Sequence, residues 1–388
     1  MTNNKDKKVL NVPNLRFPEF TGEWKKCIIG ELTTKVGSGV TPRGGEAVYK
    51  SEGHPFVRSQ NIGLGHLILD DIAYIDEDTH QRQKNTELQL DDVLLNITGA
   101  SIGRSALVNQ QIVGGNVNQH VCIIRANKKL IPSFLCNFLL SQYGQKQIES
   151  FQAGGNRQGL NFEQIKSIKI GLPSVEEQKK IADLLLLIEQ RITTQNKIIE
   201  DLKKLKSAIS ERLFNAIKGD VVVLEDIGDV VKGKQINGEF LSESGKYYVM
   251  NGGIEPSGFY NDYNVEANTI SISEGGNSCG YVQFNACPFW SGGHCYTIQN
   301  TTDNVKTEYL YQFLKSKESE IMKLRIGSGL PNIQKKDLAK FKITIPNISE
   351  QKVISAFLSS FERKADVEMN FVNLLLEEKQ YLLRQMFI

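Results

Sequence analysis

The side chains best suited to recognise another molecule are polar residues that stand beside glycine-rich turns. They are Arg43, Arg58, Ser59, Gln60, Asn61, Ser101, Arg104, Asn118, Gln119 and Arg157 in the first half of the chain, and Lys232, Lys234, Gln235, Asn251, Asn277, Ser278, His294 and Arg325 in the second. Arginine suits guanine edges, asparagine and glutamine suit adenine, and lysine or backbone amides bind phosphate. We assign Arg157 and Arg325, beside glycine loops, to phosphate. Together the residues favour DNA binding, although for each one alone a turn or strand-end role is the simpler interpretation.

Catalytic motifs have no comparable support. The stretch GDVVKGKQ at 228–235 has P-loop spacing, but Gln235 replaces the metal-binding Ser or Thr and INGEF follows instead of a helix. No G-x-G-x-x-G opens a βαβ unit, which argues against a dinucleotide or methyl-donor site. The five histidines show no H-x-x-x-H spacing. The sequence therefore predicts a binding protein and not an enzyme.

A zinc site is the remaining chemistry that residue types suggest, at Cys279, Cys287, His294 and Cys295. Zinc ligands usually come in tightly spaced pairs, which this group lacks. The six cysteines contain no C-x-x-C pair, so we expect reduced thiols and no structural disulfides. We expect no metal or cofactor bound by this chain.

Bulk properties set the class of protein. A length of 388 residues predicts two or more domains, and 40% apolar residues predict folded ones. The net charge of +2 neither supports nor excludes a nucleic-acid partner, so any DNA-binding surface must be local. The polar start and the lack of an 18-residue apolar run predict no signal peptide and no membrane span. We expect a cytoplasmic protein.

One phrase occurs twice, as LPSVEEQKK at 172–180 and IPNISEQKV at 345–353, an offset of 173 residues. A period this long indicates a duplicated domain. Each copy follows an alternating strand-like stretch and opens a helix. Ser174 with Glu177 predicts a capping box, in which the serine binds a free amide and the glutamate reaches back to the cap. Asn347 and Glu350 occupy the matching positions.

Long heptad patterns follow both caps. From Ile181 and from Ile354, apolar residues recur at alternate steps of four and three over roughly 40 residues, which predicts helices of about 60 Å. Both seams are interrupted at matching places, by Gln195 with Glu368 and by Lys206 with Lys379. Polar seam residues fix register. Short junctions would make the two helices antiparallel, and we then expect Gln195 to approach Glu368.

The regions before the helices are rich in Gly, Asn, Ser and short β-type runs, as in DDVLLNITGASIG and TISISEGG. Each contains one helix, at 132–151 and 306–324, followed by a glycine loop. ITGASIG at 97–103 aligns with SEGGNSCG at 273–280, and QHVCII at 119–124 with GHCYTI at 293–298. We therefore expect the two regions to share a topology while their side chains diverge.

Two divergent β-rich regions, each ending in a glycine loop, a strand, P-x-x-x-E-Q-K and a long helix, resemble the specificity subunit of type I restriction-modification enzymes. The opening NVPNLRFPEFTGEWKKCIIGEL at 11–32 resembles the start of that family's firmicute members. The resemblance covers essentially the whole chain in order.

The resemblance implies an α+β fold with two β-rich target recognition domains, related by an approximate two-fold axis and separated by an antiparallel two-helix coiled coil. The domains would span 1–173 and 219–346, and the helices 174–218 and 347–388. Each domain would read one half of a bipartite double-stranded DNA target, and the helices would set the spacer. Modification and restriction subunits would be the partners, and they would supply S-adenosylmethionine, ATP and Mg chemistry.

Two other classes stay open at this point. A non-enzymatic coiled-coil adaptor would bind proteins without sequence preference for DNA. A self-contained methyltransferase or nuclease would modify or cut DNA alone.

Overall fold

The computed structural model describes residues 10–152, 159–327, 329 and 331–388. The chain divides into two compact units, Met1–Thr194 with Phe371–Ile388, and Gln195–Asn370. We call them unit 1 and unit 2. Within the described residues, no helix has both the length and the apolar character needed to cross a membrane.

The described part of unit 1 contains nine strands in three sheets. The strands are β1 (Lys25–Ile28), β2 (Thr33–Ser38), β3 (His54–Val57), β4 (Ala73–Ile75), β5 (Val93–Asn96), β6 (Ser105–Leu107), β7 (Asn116–Val117), β8 (Val121–Ala126) and β9 (Lys169–Leu172). A four-stranded antiparallel sheet has the order β2-β8-β5-β6, and a three-stranded sheet has the order β4-β3-β7. The pair β1-β9 joins the start of the domain to its exit strand.

Short helices accompany these strands. They are α1 (Glu77–Arg82), α2 (Pro132–Leu140), α3 (Gln142–Ser150) and α4 (Phe162–Ser167), and α5 (Val175–Ala216) then begins. Helix α2 packs on β5 and β6. Every residue of β5 is buried, which explains why its first three residues, VLL, are a continuous apolar run and not an alternating one.

Unit 2 repeats this arrangement. Its strands are β10 (Asp220–Val223), β11 (Asp229–Lys232), β12 (Tyr247–Met250), β13 (Phe259–Tyr260), β14 (Thr269–Ser273), β15 (Val282–Asn285), β16 (Trp290–Ser291), β17 (Cys295–Gln299) and β18 (Lys342–Ile345), and its helices are α6 (Thr307–Ser316), α7 (Glu318–Met322), α8 (Lys335–Ala339) and α9 (Ile348–Gln385). The sheet orders β11-β17-β14-β15, β13-β12-β16 and β10-β18 match those of unit 1 strand by strand. The predicted α+β class is confirmed, with one topology occurring twice.

The helices predicted at 132–151 and 306–324 are each broken. Ser141 is extended (φ −70, ψ 161), and its hydroxyl accepts the Gly144 amide at 3.3 Å, so one helix ends and the next begins there. A Cβ at position 144 would overlap the Phe138 carbonyl, so only glycine permits this close turn. The equivalent break in unit 2 lies at Lys317 (φ −100, ψ 12).

The long helices run antiparallel within each unit, as predicted. In unit 2, Gln195 donates to Glu368, and the Lys206 ammonium lies 2.7 Å from Glu362. In unit 1, Arg191 stacks over Phe371 at 5.6 Å. The expected approach of Gln195 to Glu368 is therefore found. The seam residues of α5 and α9 are buried or partly buried along both helices, the buried ones including Ile181, Leu185, Ile188, Ile192, Ile199, Leu358, Val372, Leu375, Leu382 and Met386.

Candidate nucleic-acid interface

The glutamine of the repeated E-Q-K phrase joins each long helix to its domain. Gln178 is fully buried, and its Oε1 accepts the Ile131 amide at 2.8 Å while its Nε2 donates to the Lys129 and Pro173 carbonyls at 3.0 and 3.1 Å. One side chain thus satisfies the start of α2 and the start of α5 together.

Gln351 makes the same three bonds in unit 2. It accepts the Lys306 amide at 2.8 Å and donates to the Asn304 and Pro346 carbonyls, both at 2.9 Å. We call the two sets of bonds the glutamine latches. In each copy two of the three contacts of this glutamine lie more than 40 residues away, so no local pattern predicts them.

The two cap residues make the same bond, but the glutamates that follow them differ. Ser174 accepts the Glu177 amide at 3.2 Å, and Asn347 accepts the Glu350 amide at 3.0 Å. The Glu177 carboxylate does not reach back to the cap as predicted. It is buried, where it accepts Arg16 at 2.7 and 2.8 Å and Trp24 at 3.2 Å. A charged, bidentate arginine partner outcompetes a backbone amide, whereas Glu350 stays exposed.

The two seam lysines form equivalent ion pairs. Lys379 pairs with Glu189 in unit 1, and Lys206 with Glu362 in unit 2, so both partners recur at the repeat offset. Each glutamate also contacts its own domain. His66 lies 3.6 Å from Glu189, and Tyr311 donates to Glu362 at 3.3 Å. The hydrogen bonds from His66 and Lys379 lower the pKa of Glu189 to about 2, against the opposing effect of its burial.

Loops at one end of each four-stranded sheet share a main-chain framework. In unit 1 the Ile97 amide donates to His120 O at 3.0 Å, Gly103 to Asn96 O at 3.0 Å, and Leu160 to Ile97 O at 2.9 Å. In unit 2 the same bonds run from Glu274 to His294 O at 2.9 Å, from Gly280 to Ser273 O at 2.8 Å, and from Ile333 to Glu274 O at 2.8 Å. We call this set of bonds the loop frame. The loop frame makes Gly99 equivalent to Gly276, and His120 equivalent to His294. This agrees with the alignment of the two halves of the sequence given above.

The loop that carries the frame bonds has G-x-S-x-G spacing in both units, at Gly99–Gly103 and Gly276–Gly280. In α/β-hydrolases this spacing places a nucleophile between a strand and a helix, but here it connects two strands. Ser278 Oγ donates to Gly252 O at 2.6 Å, and Ser101 Oγ accepts Asn96 Nδ2 at 3.1 Å. Neither serine bonds a histidine in the described parts of the chain. Ser278 thus ties its loop directly to the turn at Gly252. Ser101 is tied to the equivalent turn through Asn96, whose Nδ2 also donates to Ser59 O at 2.8 Å.

Several predicted contact residues of unit 1 are engaged inside the domain. Asn61 is 1% exposed. Its Oδ1 accepts the Arg58 amide at 2.9 Å, and its Nδ2 donates to Ile68 O at 2.9 Å. Asn118 is 7% exposed and accepts the His120 amide at 3.0 Å. Burial and these internal bonds leave the two asparagines little exposed surface, and their base contacts stay a prediction. Ser59 is partly buried, and its carbonyl accepts Asn96 Nδ2 at 2.8 Å.

Asp71 binds two more of the predicted contact residues. Arg58 donates to the Asp71 carboxylate at 3.1 Å and to its carbonyl at 2.7 Å, and Gln60 donates to the same carboxylate at 2.6 Å. The Asp71 carboxylate therefore holds both side chains within unit 1.

Arg43, Arg104 and Gln119 are exposed at the loops of unit 1. The side chains of Arg43 and Arg104 form no hydrogen bond or ion pair with the residues that the structure describes. Gln119 Oε1 accepts the Thr41 amide at 3.0 Å. Arg157 lies outside the described residues.

Unit 2 exposes a comparable set. Lys232, Lys234, Gln235, Asn277, His294 and Arg325 are all exposed. Lys232 pairs with Glu274 at 2.6 Å, and Asn251 Oδ1 accepts the His294 amide at 3.2 Å. Over the described ranges, the side chains of Lys234 and Asn277 make no hydrogen bond or ion pair.

A glutamine amide lies between the same two loops in both units. In unit 1 it comes from Gln119 and contacts Thr41 across the gap. In unit 2 it comes from the opposite loop, where Gln235 lies against Gly293, the position equivalent to Gln119. The surface is thus polar, glycine-lined and rich in amide and cationic groups, as a base-reading surface requires. Within the described residues, no group of three or more His, Cys, Asp or Glu could hold a metal ion.

Comparison with known proteins gives a consistent result. The family model described as "Type I restriction modification DNA specificity domain" matches residues 21–204 and 218–375. The Methanocaldococcus jannaschii protein named "Putative type I restriction enzyme MjaX specificity subunit" is 22% identical over 395 residues, covering 92% of this chain and 91% of that protein.

Two solved structures share the fold. The type I restriction-modification S subunit from M. genitalium superposes with a TM-score of 0.61 at 19% identity, over 97% of this chain and 99% of that one. A chain from a study titled "Structural basis underlying complex assembly and conformational transition of the type I R-M system" gives a TM-score of 0.59 at 18% identity, over 93% and 96%.

Proposed function

Because the chain belongs to the type I restriction modification DNA specificity family, we propose that it is the DNA-binding specificity subunit of a type I restriction-modification complex. Each unit presents one target recognition domain, and each domain reads one half of a bipartite target. We place these domains at residues 1–173 and 219–346, and the connecting helices at 174–218 and 347–388.

The observation that carries this proposal is the repeated loop frame. Two domains hold the same loops by the same main-chain bonds, yet Ala100 and Arg104 in one stand where Asn277 and Tyr281 stand in the other. A shared scaffold with different exposed side chains suits two readers of different sequences, since base edges are distinguished by the donors and acceptors opposite them.

The partners follow from the family. Modification subunits dock on the long helices, where Leu187, Val353, Val367 and Leu374 are apolar and more than half exposed. Restriction subunits join the assembly, and these partners supply the S-adenosylmethionine, ATP and Mg chemistry. This chain contributes recognition and no catalytic group, and the complex acts in the cytoplasm.

A binding selection tests the proposal. The full-length chain, assembled with its modification subunits, is incubated with a library of random DNA duplexes, and the bound fraction is sequenced. We expect a motif of two short half-sites separated by a spacer of fixed length and free sequence. The modification subunits alone serve as the control and should select no motif. Protein binding without any selected motif would instead identify a coiled-coil adaptor, and methylation or cleavage by the chain alone would identify an enzyme.

A further inference from the structure

The duplication separates loop residues that serve the fold from residues that serve something outside it. At the equivalent positions 39–41, 96–104 and 118–120 of unit 1 and their counterparts in unit 2, five residues are identical. They are Gly39 with Gly233, Gly99 with Gly276, Ser101 with Ser278, Gly103 with Gly280, and His120 with His294. For four of these five pairs, a backbone requirement or a hydrogen bond within the protein explains why the same residue occurs in both units.

The glycines are required by the backbone. A Cβ at Gly39 would overlap the Val117 carbonyl, and one at Gly233 would overlap the Gly292 carbonyl. Gly99 and Gly276 have φ values of 73 and 76, and Gly103 and Gly280 have values of 86 and 91, a region that other residues rarely adopt. The two serines pin equivalent turns, as described above.

The histidine pair has no such explanation. The frame bond uses the main-chain carbonyl of His120 and of His294, which any residue would supply. Their side chains have different partners, because His120 Nδ1 lies 2.5 Å from Thr98 Oγ1, whereas His294 Nδ1 lies 3.6 Å from Glu274 Oε2. Thr98 is equivalent to Gly275, so no internal contact is shared.

The two rings nevertheless use the same nitrogen within the domain. In both, Nδ1 lies near a side-chain oxygen of the loop that carries the frame bonds, so Nε2 is the nitrogen left for an outside partner. The His294 side chain is 64% exposed. His120 Nε2 lies 3.1 Å from the side-chain amide of Gln119, an exposed residue that a phosphate would displace from this nitrogen. A buried Glu274 oxygen without a hydrogen bond faces the His294 ring, which favours this orientation.

We propose that His120 and His294 contact the DNA backbone, each through Nε2 on a phosphate of the half-site that its domain reads. This inference rests on the proposed function. The two half-sites differ in base sequence and have only the sugar-phosphate backbone in common, so a side chain kept in both readers fits the common element. Side chains that differ at equivalent positions, such as Asn277 and its counterpart Ala100, read bases.

Binding measurements on matched duplexes test the assignment. The full-length chain with its modification subunits is titrated with the selected target, with a duplex scrambled in the first half-site, and with one scrambled in the second. His120→Ala should weaken binding to all three duplexes by the same factor, about tenfold, because the lost hydrogen bond is independent of sequence. His294→Ala should do the same. His120→Lys should restore affinity, since phosphate accepts any well-placed cation.

The comparison variant is Asn277→Ala, which inserts the residue that unit 1 already carries at this position. It should lower the preference for the intact second half-site and leave binding to the duplex scrambled there unchanged. Melting temperatures of all variants check that folding is intact, and the lysine variant keeps the test valid should an alanine variant fold poorly.

Two outcomes would overturn the inference. A change in the ratio of affinities among the duplexes on His120→Ala would show a base contact, and unchanged affinity for all three would show no DNA contact. Failure of the proposed function has a different signature, in which the wild-type complex does not discriminate among the duplexes. In that case duplexes of arbitrary sequence replace the matched set, and a uniform loss of binding affinity on His120→Ala still supports the phosphate contact.

Discussion

Arg104 is our candidate for a side chain that carries sequence preference without a role in the fold. Its guanidinium is exposed, and its main chain repeats the bond that Tyr281 makes in unit 2, from the residue's amide to the carbonyl of Ser101 or Ser278 at 3.1 and 2.9 Å. Tyrosine is therefore compatible with the backbone at this position.

We predict that Arg104→Tyr changes the preferred base at one position of the half-site read by unit 1. Loss of a bidentate arginine contact costs about 1–3 kcal/mol of discrimination, or roughly 10- to 100-fold. Sequencing of DNA selected by the variant complex measures this. An unchanged motif would contradict the assignment, and the second half-site serves as the internal control.

Glu189 is the residue whose surroundings make stability depend on acid. Its pKa is lowered to about 2 by His66 and Lys379, so the charged form is favoured in the folded state. A lowered pKa contributes stability above the unfolded value near 4.5, and this contribution is lost as the pH falls from there toward 2.

We predict that Glu189→Gln lowers the melting temperature of unit 1 by about 4–8 °C at pH 7, because Lys379 is left partly buried without a counterion at a cost of about 2 kcal/mol. The difference from wild type should shrink as the pH is lowered from 5 to 3. Calorimetry over this range measures it. Glu176→Gln, exposed on the same helix, is the control, and a pH-independent difference would contradict the ion-pair explanation.

Residue types point to the glycine-rich loops as candidate recognition loops but could not rank their side chains. Asn61 and Asn118 have the composition of base readers, yet burial and internal hydrogen bonds occupy them. Glu177 has capping-box spacing, but Arg16, 161 residues away, takes its carboxylate. Such competition depends on tertiary contacts, which local spacing does not contain.

At the scale of elements, the glutamine latches fix where each long helix leaves its domain. Periodicity predicted the helices, their caps and their polar seam positions, because these follow from local geometry. It did not predict the helix breaks at Ser141 and Lys317. These breaks depend on the close approach of Gly144 to Phe138 and on the backbone angles at Lys317.

We predict that Gln178→Ala and Gln351→Ala each destabilise their unit by about 3 kcal/mol, since one substitution leaves a buried amide and two carbonyls without partners. Chemical denaturation followed by circular dichroism measures the loss. Gln190→Ala, exposed on α5, should change stability by less than about 0.5 kcal/mol. Equal effects of latch and control variants would contradict the role of the latch.

At the scale of the whole molecule, the long helices relate the two reading events. We propose that their length sets the unspecified spacer of the target. Inserting seven residues into both α5 and α9, at positions matched across the seam, adds about 10 Å of helix.

The expected result is a spacer longer by about three base pairs with both half-sites unchanged, as B-DNA rises about 3.4 Å per base pair. Genome-wide mapping of methylated bases in a host carrying the variant complex measures it. Retention of the original spacer would refute the ruler role, and insertion into one helix alone, which shifts the seam register, provides a destabilised control.

The main-chain character of the loop frame has a consequence for how such a protein changes over generations. Because backbone amides and carbonyls hold the loops, and glycines supply the turns, most exposed positions can mutate with little effect on folding. Ala100 and Asn277 are two different residues at one equivalent position of the same loop frame. New target preferences can therefore arise by single substitutions, without compensating changes in the core, and this makes each domain evolvable independently of the other.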